Sequence, residues 1–122
     1  MFSVCDGKKM AVTDVHTGKS LATPNIGEGP DAAGYDPGTK LAFASNGDGT
    51  LSVVNTAKSG YPVVETLHTM IGARTMALDK ETGKIYTVSA KLGATPAATA
   101  TTPHPRPTAV PGSFTVLVIG RD

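Results

Sequence analysis

The sequence has no tryptophan, a single cysteine, 5% aromatic residues and only 17% charged residues across its 122 positions. With Cys5 alone there can be no internal disulfide, which excludes a small disulfide-stapled fold, and a free thiol at this position is expected to be buried. No apolar run approaches the roughly 18 residues of a membrane-crossing helix, so a membrane is not an expected partner. Met1 leads into Phe2-Ser3-Val4 without the basic and apolar segments of an export signal, so the chain as written is expected to stay in the cytoplasm. A large charge of one sign is missing too. The net charge is +1, which gives nucleic acid nothing to read. Helical periodicity is also lacking, because no window carries apolar residues at three- and four-residue spacing for three turns without a Gly or Pro intervening.

What is abundant points to short strands. The 14 Gly and 9 Pro, set among Val, Thr and Ala, suit many strands joined by tight turns. A repeat runs through the chain. Gly49-Thr50-Leu51-Ser52-Val53-Val54-Asn55 matches Lys8 to Asp14 about 41 positions earlier, and Ser113 to Ile119 gives a third copy. Ahead of each copy lies a second strand type, Phe2 to Cys5, Leu41 to Ser45 and Ile85 to Ser89. The first two run into Asp6-Gly7 and Asn46-Gly47, dipeptides that favour hairpin turns with positive φ. Two further strand types, Ser20 to Thr23 with Val63 to Leu67, and Asp31 to Tyr35 with Arg74 to Leu78, complete the pattern. The last pair ends in turns at Asp36 and Asp79, which are 43 residues apart.

A period of this length marks propeller or solenoid repeats. The fold expected is all-β, a partial β-propeller of antiparallel four-stranded blades with about ten strands. Residues 1–122 read as one domain: an incomplete first blade at 1–27, a complete blade at 28–72, and an incomplete last blade at 73–122. Residues 91–113 hold five prolines and no alternation, which predicts a long extended loop within the last blade. The first blade lacks an innermost strand and the last an outermost one, so closure by self-association, as a homodimer, is expected.

Val53-Val54-Asn55-Thr56, Thr17-Gly18-Lys19, Gly27-Glu28-Gly29-Pro30-Asp31, Asp36-Pro37-Gly38 and Gly49 to Val53 together resemble the YVTN-type repeat β-propellers, a bacterial and archaeal family related to surface-layer repeat proteins and lactonase-like propellers. The resemblance covers essentially the whole chain, which looks like a C-terminal fragment of about two and a half blades. It implies binding or scaffold roles, or lactone hydrolysis. It also implies an exported location, periplasmic or extracellular, for full-length relatives.

Strand order gathers the connections from fourth to first and from second to third strands on one rim. That rim collects Asp6, Lys8, Glu28, Asp31, Asn46, Asp48, His68, Arg74, His104 and Arg106, while His16, Lys19, Asp36 and Asp79 fall on the other. Glu28, Asp31, Asp48, His68, Arg74, His104 and Arg106 are the expected ligand contacts, with a small polar ligand or a protein as partner. In a lactonase-like alternative Glu28 or Asp31 activates water while Arg74 or His104 stabilises negative charge, which makes Asp31, Arg74 and His104 the candidate catalytic residues. An ion pair between Asp31 and Arg74 is the plainer expectation for those two. No metal is expected, because His16, His68 and His104 lack a ligand spacing, and no cofactor motif occurs. Gly47-Asp48-Gly49 precedes no helix that could hold a phosphate, and no serine sits in a hydrolase elbow.

Overall fold

The computed structural model describes residues 1–121, and they form ten strands and no helix. In chain order these are β1 (Phe2–Cys5), β2 (Lys9–Thr13), β3 (Ser20–Ala22), β4 (Pro30–Asp36), β5 (Leu41–Asn46), β6 (Thr50–Asn55), β7 (Val63–His68), β8 (Met76–Leu78), β9 (Ile85–Ser89) and β10 (Thr115–Ile119). They pair as three antiparallel sheets: β1-β2-β3, the four-stranded β4-β5-β6-β7, and β8-β9-β10. The all-β class and the number of strands are those read from the sequence. Boundaries differ at β8, which starts at Met76, leaving Arg74 and Thr75 in the irregular segment before it.

Alternation along each strand decides the packing, because successive side chains face opposite sides of a sheet. In the middle sheet Ala42, Ala44 and Val54 point one way and join Met10 and Ile26 in a buried cluster, closed by Phe2, Val4, Tyr61 and Val63. Phe43, Leu51 and Val53 point the other way and bury with Ile85, flanked by Leu67, Met76, Leu78 and Ile119. The middle sheet is therefore covered on both faces, by the first sheet and by the last.

The ladder registers show that one surface recurs three times. Phe2 pairs with Val12 and Val4 with Met10; Phe43 pairs with Val53 and Ser45 with Leu51; Tyr86 pairs with Val118 and Val88 with Val116. In the first two sheets the quartet lies on the side that looks toward the next sheet in the chain, here termed the front, and in the last sheet it lies on the side away from the middle sheet. The opposite side is the back, as with Ala42, Ala44, Ser52 and Val54.

Turns follow the Gly and Asp positions, with one difference. At the β1–β2 turn Gly7 and Lys8 take φ of 87° and 62°, as Asp6-Gly7 predicts. At the β5–β6 turn Asn46 belongs to the strand, and the positive φ, 86°, falls on Gly49 rather than Gly47. Gly47 is small for another reason: a Cβ there would lie 3.2 Å from the Gly29 carbonyl oxygen, to which its own N–H donates at 2.8 Å. Cys5, expected buried, is exposed. It pairs with Lys9 at the hairpin end, on the face of β1 opposite Val4, so no neighbouring sheet covers it.

The segment 91–113 joins β9 to β10 as a stem with a long tip. Leu92 and Ala109 form an isolated bridge, Gly93 N–H donates to the Thr108 carbonyl at 2.8 Å, and Val110 N–H donates to Lys91 at 2.8 Å.

Candidate binding site

Hairpin geometry brings the β1–β2 and β5–β6 turns and the segments entering β4 and β8 to one end of the molecule. There they are joined largely through backbone. Ile26 N–H donates to the Lys8 carbonyl, Asp48 N–H to Glu28, and Gly72 N–H to Gly47. Asp48 is the hub. Its carboxylate accepts from the Glu28 N–H at 2.8 Å, the Thr50 N–H at 3.0 Å and the Thr50 hydroxyl at 2.6 Å. Partial burial pushes this carboxyl up, but the Thr50 and Glu28 hydrogen bonds more than offset it and hold it below the ordinary aspartate value. Beneath the hub, Asn46 donates to the hydroxyls of Thr50 and Ser52 at 3.0 and 3.1 Å.

The structure gathers some expected site residues and separates others. Glu28 pairs with Lys8 at 3.1 Å, with both side chains largely in water. Arg74 reaches the same end: its carbonyl accepts the Ser45 hydroxyl, and its Cδ would lie 3.9 Å from a Cβ on Gly47. Asp31 is an exposed residue of β4 and forms no ion pair with Arg74 among the described residues. His68 is exposed at the end of β7. His104 and Arg106 are exposed in the tip of the 91–113 segment, without side-chain hydrogen bonds among the described residues. No three His, Cys, Asp or Glu side chains converge as a metal-holding group among the described residues.

The opposite end carries three aspartate turns. Asp36 accepts from the Thr39 hydroxyl at 2.7 Å and the Gly38 N–H at 2.9 Å, and Asp79 from the Thr82 hydroxyl at 2.6 Å and the Glu81 N–H at 2.9 Å. Asp14 accepts from the His16 N–H at 2.8 Å. The Thr39 hydroxyl, the Thr82 hydroxyl and the His16 N–H are the respective main causes that lower these three carboxyls.

Beside those turns opens a cleft of about 890 Å³ between the middle and last sheets. Its floor is apolar, with Phe43, Leu51, Leu67 and Ile119, and its rim is charged, with Lys58, Glu65, Lys80 and Arg121. Its origin is topological. Between the first and middle sheets, Tyr61 and Val63 close the outer part of the interface. Among the described residues the last sheet has three strands, with β10 at its outer edge, and the corresponding space beside Glu65 and Leu67 of β7 is open. Sequence reasoning did not find this site; the missing outermost strand of the last sheet was the signal for it. No protein-family model matches the chain, and no curated protein matches it either.

Proposed function

We propose that the chain is a partial β-propeller of the YVTN-repeat kind and acts as a non-catalytic binding and scaffold module, taking an extended polypeptide segment in the cleft between its middle and last sheets. The propeller reading is supported by three antiparallel sheets packed face to face in chain order, with β4 and β8 in contact as neighbouring inner strands. One observation carries the binding reading: the cleft reaches Ile119 at the end of β10, the strand whose outer edge has no partner among the described residues, and is walled on the other side by Glu65 and Leu67 of β7. An unpaired strand edge offers main-chain donors and acceptors, and an apolar floor beside it selects alternate apolar side chains, which is the chemistry of strand addition. The hydrolase alternative asks for Glu28 or Asp31 to activate water beside Arg74 or His104; Glu28 is engaged by Lys8, and Asp31 is exposed on β4 and forms no ion pair with Arg74 among the described residues.

The test is titration of isotope-labelled protein with a capped alternating Val-Thr heptapeptide, followed by amide shifts. Saturable shifts centred on β10 and on Leu67 are expected. They should be abolished by Leu67→Arg in protein that retains its far-UV spectrum, and by proline at alternate peptide positions. Peptide that leaves the β10 amides unmoved overturns the proposal.

A further inference from the structure

The last sheet presents a front face that nothing among the described residues covers. Phe43, Leu51 and Val53 on the front of the middle sheet are 8%, 1% and 5% exposed, whereas their register equivalents Tyr86, Val116 and Val118 are 37%, 52% and 58% exposed. Val88, the equivalent of Ser45, adds a fourth apolar side chain to the patch. Contiguous apolar surface of this kind marks an interaction site. The chain itself shows twice what such a surface meets: the front of the first sheet buries against the back of the middle one, and the front of the middle sheet against the back of the last. In the first of these interfaces a bulky front, Phe2, Val4, Met10 and Val12, meets a back of small residues, Ala42, Ala44, Ser52 and Val54.

One back face in the chain is left without a sheet against it. On β1 and β2 the side opposite Phe2, Val4, Met10 and Val12 carries Ser3, Ala11 and Thr13, with Cys5 and Lys9 at its hairpin end. By register, Ser3 stands where Ala44 stands in the middle sheet, Ala11 where Ser52 does, and Thr13 where Val54 does. All three are small or β-branched, like the back of the middle sheet that receives the front of the first.

We infer that a second copy of this chain docks front to back, with Tyr86, Val88, Val116 and Val118 of one copy covering Ser3, Ala11 and Thr13 of the other. The contact continues an interface that the chain already makes internally, so its geometry is that of one more sheet in the stack. Two such junctions related by a two-fold axis close on themselves and bring together six sheets, within the usual range of four to eight for a ring. A front-to-front pairing would instead set Tyr86, Val88, Val116 and Val118 against their own copies, and neither internal interface joins two fronts. The inference rests on the scaffold reading above for its ring, and it is independent of the cleft.

Light scattering on the chromatographed protein at high micromolar concentration is the first measurement. Twice the monomer mass is expected; a monomer, or growth without limit as concentration rises, overturns the inference. The double change Val116→Asp with Val118→Asp, at exposed positions, and the change Ala11→Arg on the back face should each give a folded monomer by circular dichroism. Ser3→Arg replaces Ala11→Arg if the latter fails to fold. Mixing the front-defective and back-defective proteins should restore a species of twice the monomer mass, since one intact junction remains, at higher concentration than the wild type needs. A back-face variant that still dimerises alone would show front-to-front pairing and refute the docking; a mixture that stays monomeric would refute it as well. Failure of the peptide titration leaves these masses unchanged, and a monomeric wild type leaves the titration unchanged, so the two ideas fail separately.

Discussion

Aspartate is the residue on which the turns depend. Asp14, Asp36, Asp48 and Asp79 all accept hydrogen bonds in their charged form, and all four have carboxyls held below the ordinary aspartate value. A folded-state value below the unfolded one contributes stability that is present above the unfolded value, about pH 3.9, and lost as pH falls through the folded value. Thermal melts should therefore hold level from neutral pH to about pH 5 and drop steeply below about pH 4. Asp48→Asn should make that acid drop shallower while lowering the neutral-pH melting temperature. Gly27 shows the same end of the molecule from the side of packing. A Cβ at this position would sit 2.6 Å from Asn46 Nδ2, and the Gly27 N–H donates to the Ser52 hydroxyl at 3.2 Å. Urea unfolding of Gly27→Ala should show a loss of about 2 kcal/mol, in the range for overpacking a closed site.

At the scale of elements, the 91–113 segment divides into a stem that belongs to the sheet and a tip that does not. The stem carries backbone hydrogen bonds between Lys91–Gly93 and Thr108–Val110, while residues 94–107 are mostly exposed. Replacing 94–107 by Asn-Gly should move the melting temperature by less than about 5 °C, because loop closure changes slowly with length and little apolar surface is lost. A larger fall measured by differential scanning calorimetry would mean that the tip packs. The ten strands were legible because period-two alternation and Gly-Asp turns are local signals, readable one segment at a time. Asp48 was not legible as a structural hub, since its role depends on the Glu28 N–H arriving from a different hairpin; only Thr50, two residues on, hinted at a side-chain-capped turn. The cleft was less legible still, because its floor draws on β5, β6, β7 and β10 at once. Arg74 was read into a strand because its spacing to Asp79 repeats that of Asp31 to Asp36, yet β8 is only three residues long and begins after it.

At the scale of the whole molecule, the middle sheet is the one buried on both faces, and this orders local stability. Amides of β5 and β6 should exchange with deuterium most slowly, and those of β3, a three-residue strand at the outer edge of the first sheet, fastest among the strands. Mass spectrometry of peptides after timed exchange measures this, and equal protection across the three sheets would contradict it. The recurrence of one front face has a further consequence for how such a chain can change in length. Residues 30–72 form a 43-residue tile that offers forward Phe43, Leu51 and Val53, at the register positions of the Phe2, Met10 and Val12 it receives from behind. Tandem duplication of that tile adds a sheet without asking any existing side chain to repack, and each added tile contributes its own internal term and one nearest-neighbour term. Length in this architecture is thus a counted quantity, free to grow or shrink by whole sheets, while a connection such as 91–113 lengthens without altering the register of the strands it joins.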